Sequence, residues 1–297
     1  MKRRHFIQTT ALASAGAVFY GCGSKPTESN VEASQTKADK TIGLQLYSLR
    51  DVIKQDVKGT MQSVADIGFK EIECYDYNNG SIFGLPYPEF AKMVADMGMR
   101  IVSGHYKTGQ ADPEFKGSLT NNWQMAVEDA AKVGQSYLTI ASMDIKERGS
   151  IDQVKNVCEL LNKGNQVCKE NGVKLAYHNH EYEFEMLDGQ VPYDVMLSEL
   201  DSSIAMELDL YWITFAGKDP IEYFAKYPGR FQQWHVKDMN KNDRKLQADV
   251  GTGSIDFKAI FAKAELAGMR HYYVEQENYE GSPMSSITNG YEYLETL

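Results

Sequence analysis

Short apolar segments alternate with longer amphipathic segments along the chain from Thr41 onwards. The apolar segments are four to six residues long, as in buried strands, and the segments between them repeat apolar residues every three or four positions, as in helices. Glycine is common just after a helix, where the backbone turns left-handed. Five predicted helices end at such a residue: Gly68, Gly98, Gly134, Gly172 and Gly268. The pattern predicts strands at residues 42–47, 71–75, 99–103, 137–140, 173–177, 204–209, 231–236 and 271–275.

Strands that alternate with helices pair in parallel, because each helix carries the chain back across the sheet. A (β/α)8 TIM barrel usually takes about 250 residues, which residues 41–297 match. We therefore predict an α/β fold, a (β/α)8 TIM barrel that forms a single domain over residues 41–297. A doubly wound open sheet is the alternative. It would favour a glycine-rich phosphate loop after the first strand, and residues 47–51 (YSLRD) do not have that composition.

Residues 1–22 have the pattern of an export signal. A positive start (residues 2–4) is followed by an apolar stretch (residues 9–20) and by Gly21-Cys22. A small residue before a cysteine resembles a lipoprotein processing site, and residues 3–7 resemble a twin-arginine signal. Residues 23–40 are polar and aperiodic, as expected of a flexible tether. We expect an exported protein, either periplasmic or held at the membrane only by a lipid anchor on Cys22.

The formal net charge of the 297-residue chain is −10. Binding to a phosphate backbone needs a basic face, so we expect no nucleic-acid partner. Besides Cys22 the chain has Cys74, Cys158 and Cys168, which lack metal-finger spacing. Cys158 and Cys168 fall ten residues apart in one predicted helix, about 15 Å along its axis, which is too far for a disulfide. We expect these three thiols to be core residues.

Side chains with chemical function collect at the C-terminal ends of the predicted strands, where TIM barrels carry their active sites. Imidazoles and carboxylates that converge on one barrel mouth suit a divalent cation. We expect one divalent metal ion there, Mn, Co, Mg or Zn. Glu183 and Glu185 are interpreted as part of a solvated loop. The strand-end set is Gln45, Tyr47, Glu73, Tyr75, His105, His178, Asn179, His180, Glu181, Glu207, Asp209, Trp212, His235, Lys237, Asp238, Glu275 and Glu277.

Four short segments stand at or near the ends of predicted strands: residues 43–50 (GLQLYSLR), 178–180 (HNH), 207–209 (ELD) and 235–238 (HVKD). These segments resemble the xylose isomerase-like barrel superfamily and, within it, the sugar phosphate isomerase/epimerase group. Residues 249–257 (DVGTGSIDF) and 274–277 (VEQE) fit the same pattern. The resemblance covers essentially all of residues 41–297 and implies a metal-dependent sugar enzyme.

In that family one metal ion is commonly held by Glu, Asp, His and Glu from strands five to eight, and the two Glu act as acid and base on either face of the substrate. The resemblance places the last three ligands at Asp209, His235 and Glu275. At strand five, His178 stands where a Glu is usual, which puts the symmetric two-carboxylate mechanism in doubt. The metal set is then His178, Asp209, His235 and Glu275, and the catalytic set is Glu275, His178 and Lys237. We expect the substrate to be bound by Gln45, Tyr47, Glu73, His105, His180 and Trp212.

The chemistry that the resemblance implies is removal of a proton beside a carbonyl that the metal polarises. We rank a sugar or keto-sugar isomerase/epimerase first. The alternative is a lyase or dehydratase, for example one that carries out β-elimination on a 3-keto-glycoside, because an imidazole replaces one carboxylate. A further alternative is a non-catalytic carbohydrate-binding lipoprotein. The expected partner is a small carbohydrate in each case, and the oligomeric state stays open. Endonuclease IV-like repair shares the fold, but the acidic charge and the export signal argue against it.

Overall fold

The computed structural model describes residues 41–297. The predicted export signal, the lipid anchor at Cys22 and the tether lie outside the described residues and remain predictions. Within the described part, no helix is both long enough and apolar enough to cross a membrane. Cys74, Cys158 and Cys168 are buried free thiols, which confirms their assignment to the core.

Eight parallel strands close into a barrel, so the predicted (β/α)8 fold is confirmed and the open doubly wound sheet is wrong. Each strand pairs with the next one along the chain, and the last pairs with the first. The strands are β1 Gly43–Gln45, β2 Glu71–Cys74, β3 Arg100–Tyr106, β4 Tyr137–Ile140, β5 Lys174–His178, β6 Ala205–Asp209, β7 Gln233–Val236 and β8 His271–Val274.

The helices of the described residues surround the barrel. Polar side chains cap several of them: Asp56, Ser150 and Ser282 each accept a backbone N–H of the first helical turn, which satisfies a donor that the helix leaves unpaired. The five predicted helix-ending glycines all have positive φ. The helices are α1 Val57–Ile67, α2 Tyr87–Asp96, α3 Trp123–Lys132, α4 Ile151–Glu170, α5 Pro192–Glu199, α6 Leu210–Phe215, α7 Pro220–Lys226, α8 Phe257–Phe261, α9 Ala264–Ala267 and α10 Pro283–Glu295.

Two strands end at places that the apolar pattern does not predict. Strand β1 stops at Gln45, because the side chain of Gln45 accepts the backbone N–H of Tyr47 and starts a 3-10 turn over Leu46–Leu49. Strand β3 continues to Tyr106, three residues beyond the predicted end, so His105 is paired within the sheet. Both differences fix backbone that carries predicted site residues. Two short antiparallel ribbons, Ser81–Ile82 with Leu85–Pro86 and Asp238–Met239 with Gln247–Ala248, lie outside the barrel sheet.

The barrel interior is layered, because residues two apart on a strand point to the same side. An apolar layer of Val102, Tyr137, Ala176, Ala205 and Tyr273 fills the barrel on the N-terminal side of the titratable groups. Two positions further along the same strands, the interior becomes polar and titratable. This second layer contains Thr139, His178, Glu207 and Glu275, and a third layer two residues later contains Asp209, Lys237 and Glu277.

The opposite end of the barrel has its own buried ion cluster. Glu71, at the start of β2, forms an ion pair with Arg100, and its Oε2 lies 2.7 Å from His271 Nδ1. His271 is therefore remote from the strand-end histidines, as its place at the start of the eighth predicted strand indicated.

Asp238 organises the segment that follows β7. Its buried carboxylate accepts four backbone N–H groups, from Met239 and Ile255 on Oδ1 at 2.8 and 3.1 Å, and from Gly251 and Gly253 on Oδ2 at 3.0 and 2.8 Å. A Cβ on Gly253 would lie 2.3 Å from Asp238 Oδ1, so only glycine fits there. Anchoring by one carboxylate holds residues 249–256 beside the barrel mouth.

Asp238→Asn is expected to lower the free energy of unfolding by about 2–4 kcal/mol. Whichever way the amide turns, its NH2 group faces two N–H donors and leaves both without an acceptor, at about 1–3 kcal/mol each. Denaturant titration of both proteins measures the difference. The matched control is Asp243→Asn in the same segment, where an exposed carboxylate accepts from Lys245 N at 3.0 Å. A loss for Asp238→Asn no larger than that of the control would contradict this account of the segment.

Candidate metal centre and active site

The structure brings together six of the predicted strand-end residues at one barrel mouth. They come from six strands, and neighbouring members of the group are 2.5–3.9 Å apart. A barrel is the reason, because it aims the C-terminal ends of all its strands at one opening. The six residues are Glu73, His105, His178, Asp209, His235 and Glu275.

Glu207 lies at the base of this group and faces three imidazoles with one oxygen. Its Oε2 is 2.9 Å from His105 Nε2, 3.2 Å from His178 Nδ1 and 3.2 Å from His235 Nε2. Glu207 is fully buried. A carboxylate behind a histidine fixes the ring orientation and the tautomer, and so decides which nitrogen faces the site. Glu207 therefore orients all three rings.

His235 lies between two carboxylates. Its Nε2 is 2.5 Å from Glu73 Oε2, and its Nδ1 is 2.6 Å from Glu275 Oε2. Gln45 Nε2 donates to the same Glu73 oxygen at 2.7 Å. The Nε2 atom of His235 thus points into the barrel interior, and Nδ1 is the nitrogen that faces the mouth.

Two overlapping groups of described residues can hold a cation. One comprises His105, His178, Glu207 and His235, and the other Asp209, His235 and Glu275; within each group the ligand atoms lie within 4.8 Å of one another. His178 Nε2 adds to the second group, 3.7 Å from Asp209 Oδ2. This four-residue set, His178, Asp209, His235 and Glu275, is the one that the sequence predicts.

The donor atoms of the four-residue set suit a divalent cation. Asp209 Oδ2 accepts no well-aligned hydrogen bond among the described residues, although Lys237 Nζ lies 3.0 Å away. Asp209 Oδ1 is already used by the backbone N–H groups of Tyr211 and Trp212. Two imidazole nitrogens and two carboxylates match the ligand preferences of Zn, Mn or Co. A buried oxygen without a well-aligned hydrogen bond is the kind of group that a metal ion satisfies.

Lys237 carries a fixed positive charge against the same carboxylates. Its Nζ is 3.0 Å from Asp209 Oδ2, 2.7 Å from Glu275 Oε2 and 2.6 Å from Glu277 Oε1. Burial opposes the charge, yet the three carboxylates raise the pKa of Lys237 well above its ordinary value. Burial likewise opposes ionisation of Glu275, but Lys237 and His235 hold its pKa well below the usual range. At neutral pH, Lys237 is therefore an ammonium and Glu275 a carboxylate.

The two histidines of the metal set differ in protonation. Burial, with the neighbouring His235, lowers the pKa of His178 well below its ordinary value, so His178 is the neutral imidazole that metals bind. Although burial opposes it, Glu207, Glu275 and Glu73 raise the pKa of His235 well above its ordinary value. Metal binding at His235 consequently releases a proton, which makes metal affinity increase with pH.

A cavity of 570 Å³ opens above this group. Its wall includes His105, His178, His180, Lys237 and Glu275, and Tyr47 stands at its rim with 39% of its surface exposed. Burial and the nearby Lys237 lower the pKa of His180 to about 3, so this ring is neutral. This concave site thus coincides with the titratable cluster, as expected of an active site.

Three of the six predicted substrate-binding residues line the cavity, and three do not. Tyr47, His105 and His180 line the cavity. Gln45 and Glu73 are fully buried beneath His235, where they support the ring and do not line the cavity. Trp212 packs behind the cavity wall, with its ring 5.7 Å from that of His180 and 5.8 Å from Lys237 Nζ.

Two carboxylates have roles that differ from the sequence-based interpretation. The interpretation of Glu183 as part of a solvated loop is wrong: Glu183 is fully buried, accepts from Tyr177 Oη at 2.6 Å and His180 N at 2.8 Å, and burial raises its pKa to about 8. Glu185 is exposed as expected. The role of Glu207 as a support for three imidazole rings was also not predicted. The available signal was that Glu207 and Asp209 share one face of their strand and differ only in their depth along the barrel axis.

Comparison with known proteins agrees with this geometry. Residues 61–297 match the family model described as the xylose isomerase-like TIM barrel. The chain belongs to this family. Among solved structures, it is similar to a sugar phosphate isomerase/epimerase from Parabacteroides distasonis, with 29% identity and a TM-score of 0.75 over 86% of this chain and 98% of that one.

Two further relatives bear on the chemistry. An inosose dehydratase from Clostridium botulinum is 27% identical over 154 residues, 45% of this chain and 51% of the relative. The chain thus spans about half the length of the curated relatives it matches. The IolI protein, solved with a bound zinc atom, is 12% identical with a TM-score of 0.66 over 86% of this chain and 96% of that one, and this likeness extends to the fold alone.

Glu207→Gln is expected to weaken Zn²⁺ binding about 10- to 100-fold, the usual effect of removing a carboxylate behind metal-binding histidines. A neutral amide cannot accept from three imidazoles at once, so their orientation is lost. Equilibrium dialysis measures the affinity. The control is Glu71→Gln, the same substitution of a buried carboxylate at the opposite end of the barrel. An unchanged affinity in Glu207→Gln, or an equal loss in Glu71→Gln, would contradict the role given to Glu207.

Proposed function

We propose that the protein is a divalent-metal-dependent enzyme that removes a proton next to the carbonyl of a sugar or keto-sugar and then expels a β-substituent, as lyases and dehydratases do. The observation that carries this proposal is the pair formed by Glu275 and Lys237. Their charged atoms lie 2.7 Å apart on the cavity wall, directly beside the imidazoles of the metal set.

His178, Asp209, His235 and Glu275 would hold the cation. When bound, a divalent ion supplies Lewis acidity toward the carbonyl oxygen of the substrate. The protein contributes the orientation of the ligands through Glu207 and Glu73, and a cavity wall that places the substrate against them. A non-catalytic sugar-binding protein is a weaker explanation, because binding alone needs no complete ligand set with its supporting carboxylates.

Glu275 and Lys237 divide the proton transfers between them. The Glu275 carboxylate takes the proton from the carbon beside the carbonyl, and the electrons of that C–H bond form the enolate. They then form the C=C bond as the bond from the β carbon to its oxygen breaks. The departing oxygen takes a proton from the Lys237 ammonium. The proton on Glu275 then returns to Lys237 across 2.7 Å, which restores both groups.

The one-sided arrangement favours elimination over epimerisation. In glycosidases, the two carboxyl groups that flank the sugar are held about 5 Å or more apart, whereas the charged atoms of Glu275 and Lys237 are much closer. The second carboxylate that a two-faced epimerase would use is replaced by His178, whose Nε2 faces Asp209. The similarity to inosose dehydratases supports the same reaction class.

An aldose–ketose isomerase is the second candidate. It too can move a proton along one face, and the 29% identity to the Parabacteroides isomerase/epimerase favours it. Both candidates use the same base, and they differ in what leaves the substrate. As part of the proposal, residues 1–22 direct export, which would bring the enzyme to extracellular carbohydrates.

The test is product analysis of the Mn²⁺-loaded protein with 3-keto-glycosides and free ketoses. We expect release of the alcohol from the keto-glycoside, and Glu275→Gln to lower turnover by about 10² to 10⁴, the usual contribution of a positioned acid or base. Glu275→Gln should also bind the metal more weakly. The control is the exposed Glu292→Gln in α10.

Interconversion of free ketoses and aldoses without release of any alcohol would favour the isomerase instead. Near-wild-type turnover of metal-loaded Glu275→Gln would overturn the mechanism given to this residue, because a glutamine amide cannot take the proton that the mechanism assigns to the Glu275 carboxylate.

A further inference from the structure

The cavity extends well beyond the metal set, and it does so in one direction. Consecutive strands β2, β3 and β4 contribute long wall segments, residues 75–77, 105–115 and 141–144, whereas the other strands contribute only residues close to the strand ends. We define the outer lobe by the wall residues remote from the metal set: Tyr75, Tyr77, Lys107, Phe115, Ser142 and Asp144.

The outer lobe is held in shape by hydrogen bonds to three parts of the chain. Asn79 N donates to Lys116 O at 3.1 Å, and Leu119 N donates to Lys107 O at 3.1 Å. Thr108 Oγ1 donates to Glu147 Oε2 at 2.9 Å, which ties this segment to the loop after β4. Because these contacts lie within the protein itself, the lobe exists before any ligand arrives.

The volume exceeds what a single sugar ring fills. One water takes about 30 Å³ of liquid, so 570 Å³ corresponds to about nineteen waters. A free hexose has about twelve non-hydrogen atoms, each of which takes less space than a water because the atoms are bonded to one another. About twelve of the nineteen water volumes are thus an upper bound for the hexose, and a hexose at the metal set leaves more than a third of the cavity for a second ring.

The chemistry of the lobe suits a neutral ring. Tyr75 and Phe115 present aromatic surface, and Ser142 and Asp144 offer polar atoms for hydroxyl groups. The single cation of the lobe, Lys107, lies 4.1 Å from the centre of the Phe115 ring, and the cavity wall also includes the carboxylates of Asp112 and Asp144. A phosphate is held best by several charged donors, and Lys107 is the one cation among the six residues that define the lobe.

We propose that the outer lobe is a subsite for a neutral second ring, so that the substrate is a glycoside and not a free monosaccharide or a sugar phosphate. The proposal rests on the proposed function, which places the reacting sugar at the metal set. The second ring is then bonded to the glycosidic oxygen and leaves with it as the alcohol that elimination would release.

Calorimetric titration of the full Mn²⁺-loaded chain tests the subsite without turnover. The probes are methyl and phenyl glycosides of glucose and galactose, in both anomers, and glucose 6-phosphate; none has a free keto group beside the reacting carbon. We expect at least one phenyl glycoside to bind about tenfold more tightly than its methyl partner, the gain usual for about five more ligand atoms. Glucose 6-phosphate should bind no better than the methyl glycosides.

Variants locate the effect. Phe115→Ala should reduce the phenyl preference to about twofold or less and leave the affinity for the methyl glycoside unchanged. Tyr75→Leu should reduce the same preference, because Tyr75 also presents aromatic surface to the lobe. Met186→Ala, an exposed apolar residue that does not line the cavity, is the matched control and should change neither affinity.

Equal affinities for phenyl and methyl glycosides would overturn the subsite while leaving the proposed function intact. Tighter binding of glucose 6-phosphate than of every glycoside would overturn it as well. If no sugar of the panel binds, the placement of a sugar at the metal set is overturned, and the subsite with it.

Discussion

Negative charge buried inside the barrel is the constraint on which the site depends. Four carboxylates are almost fully buried here and share His235 as a positively charged neighbour: Glu73, Glu207, Asp209 and Glu275. Lys237 is the permanent cation among them. Burying an unpaired carboxylate is strongly unfavourable. The protein meets this constraint partly with imidazoles held between carboxylates, and the charge that remains is what a divalent cation would neutralise.

The layered interior turns this constraint into an ordered site. The apolar layer closes the barrel from one side, the carboxylates of Glu73 and Glu207 hold the inner edges of the rings, and Lys237 and Glu275 face the cavity. Each ring therefore has a defined inner and outer nitrogen. A positive and a negative group held 2.7 Å apart beside those rings make acid and base available on one side of a bound sugar.

Much of this arrangement follows from the sequence alone. Alternation of strands and helices predicts the barrel, and the barrel requires that strand ends such as His178, Asp209 and Glu275 meet. Depth is harder to predict, because residues two apart share a face and differ only in position along the axis; this is why Gln45 and Glu73 were expected to touch substrate but lie beneath His235. Glu183 was misjudged because its burial depends on Tyr177 and on the local turn. The outer lobe depends on loop packing, which has no periodic signal.

The central claim is that one cation lies on the cavity side of the rings, held by His178, Asp209, His235 and Glu275. An anomalous difference map from a crystal soaked in Zn²⁺ tests it most directly. The account predicts one strong peak at about 2.0–2.2 Å from the outer nitrogens of His178 and His235 and from both carboxylates. A peak bonded instead to His105 and Glu207, in the interior of the barrel, would contradict it.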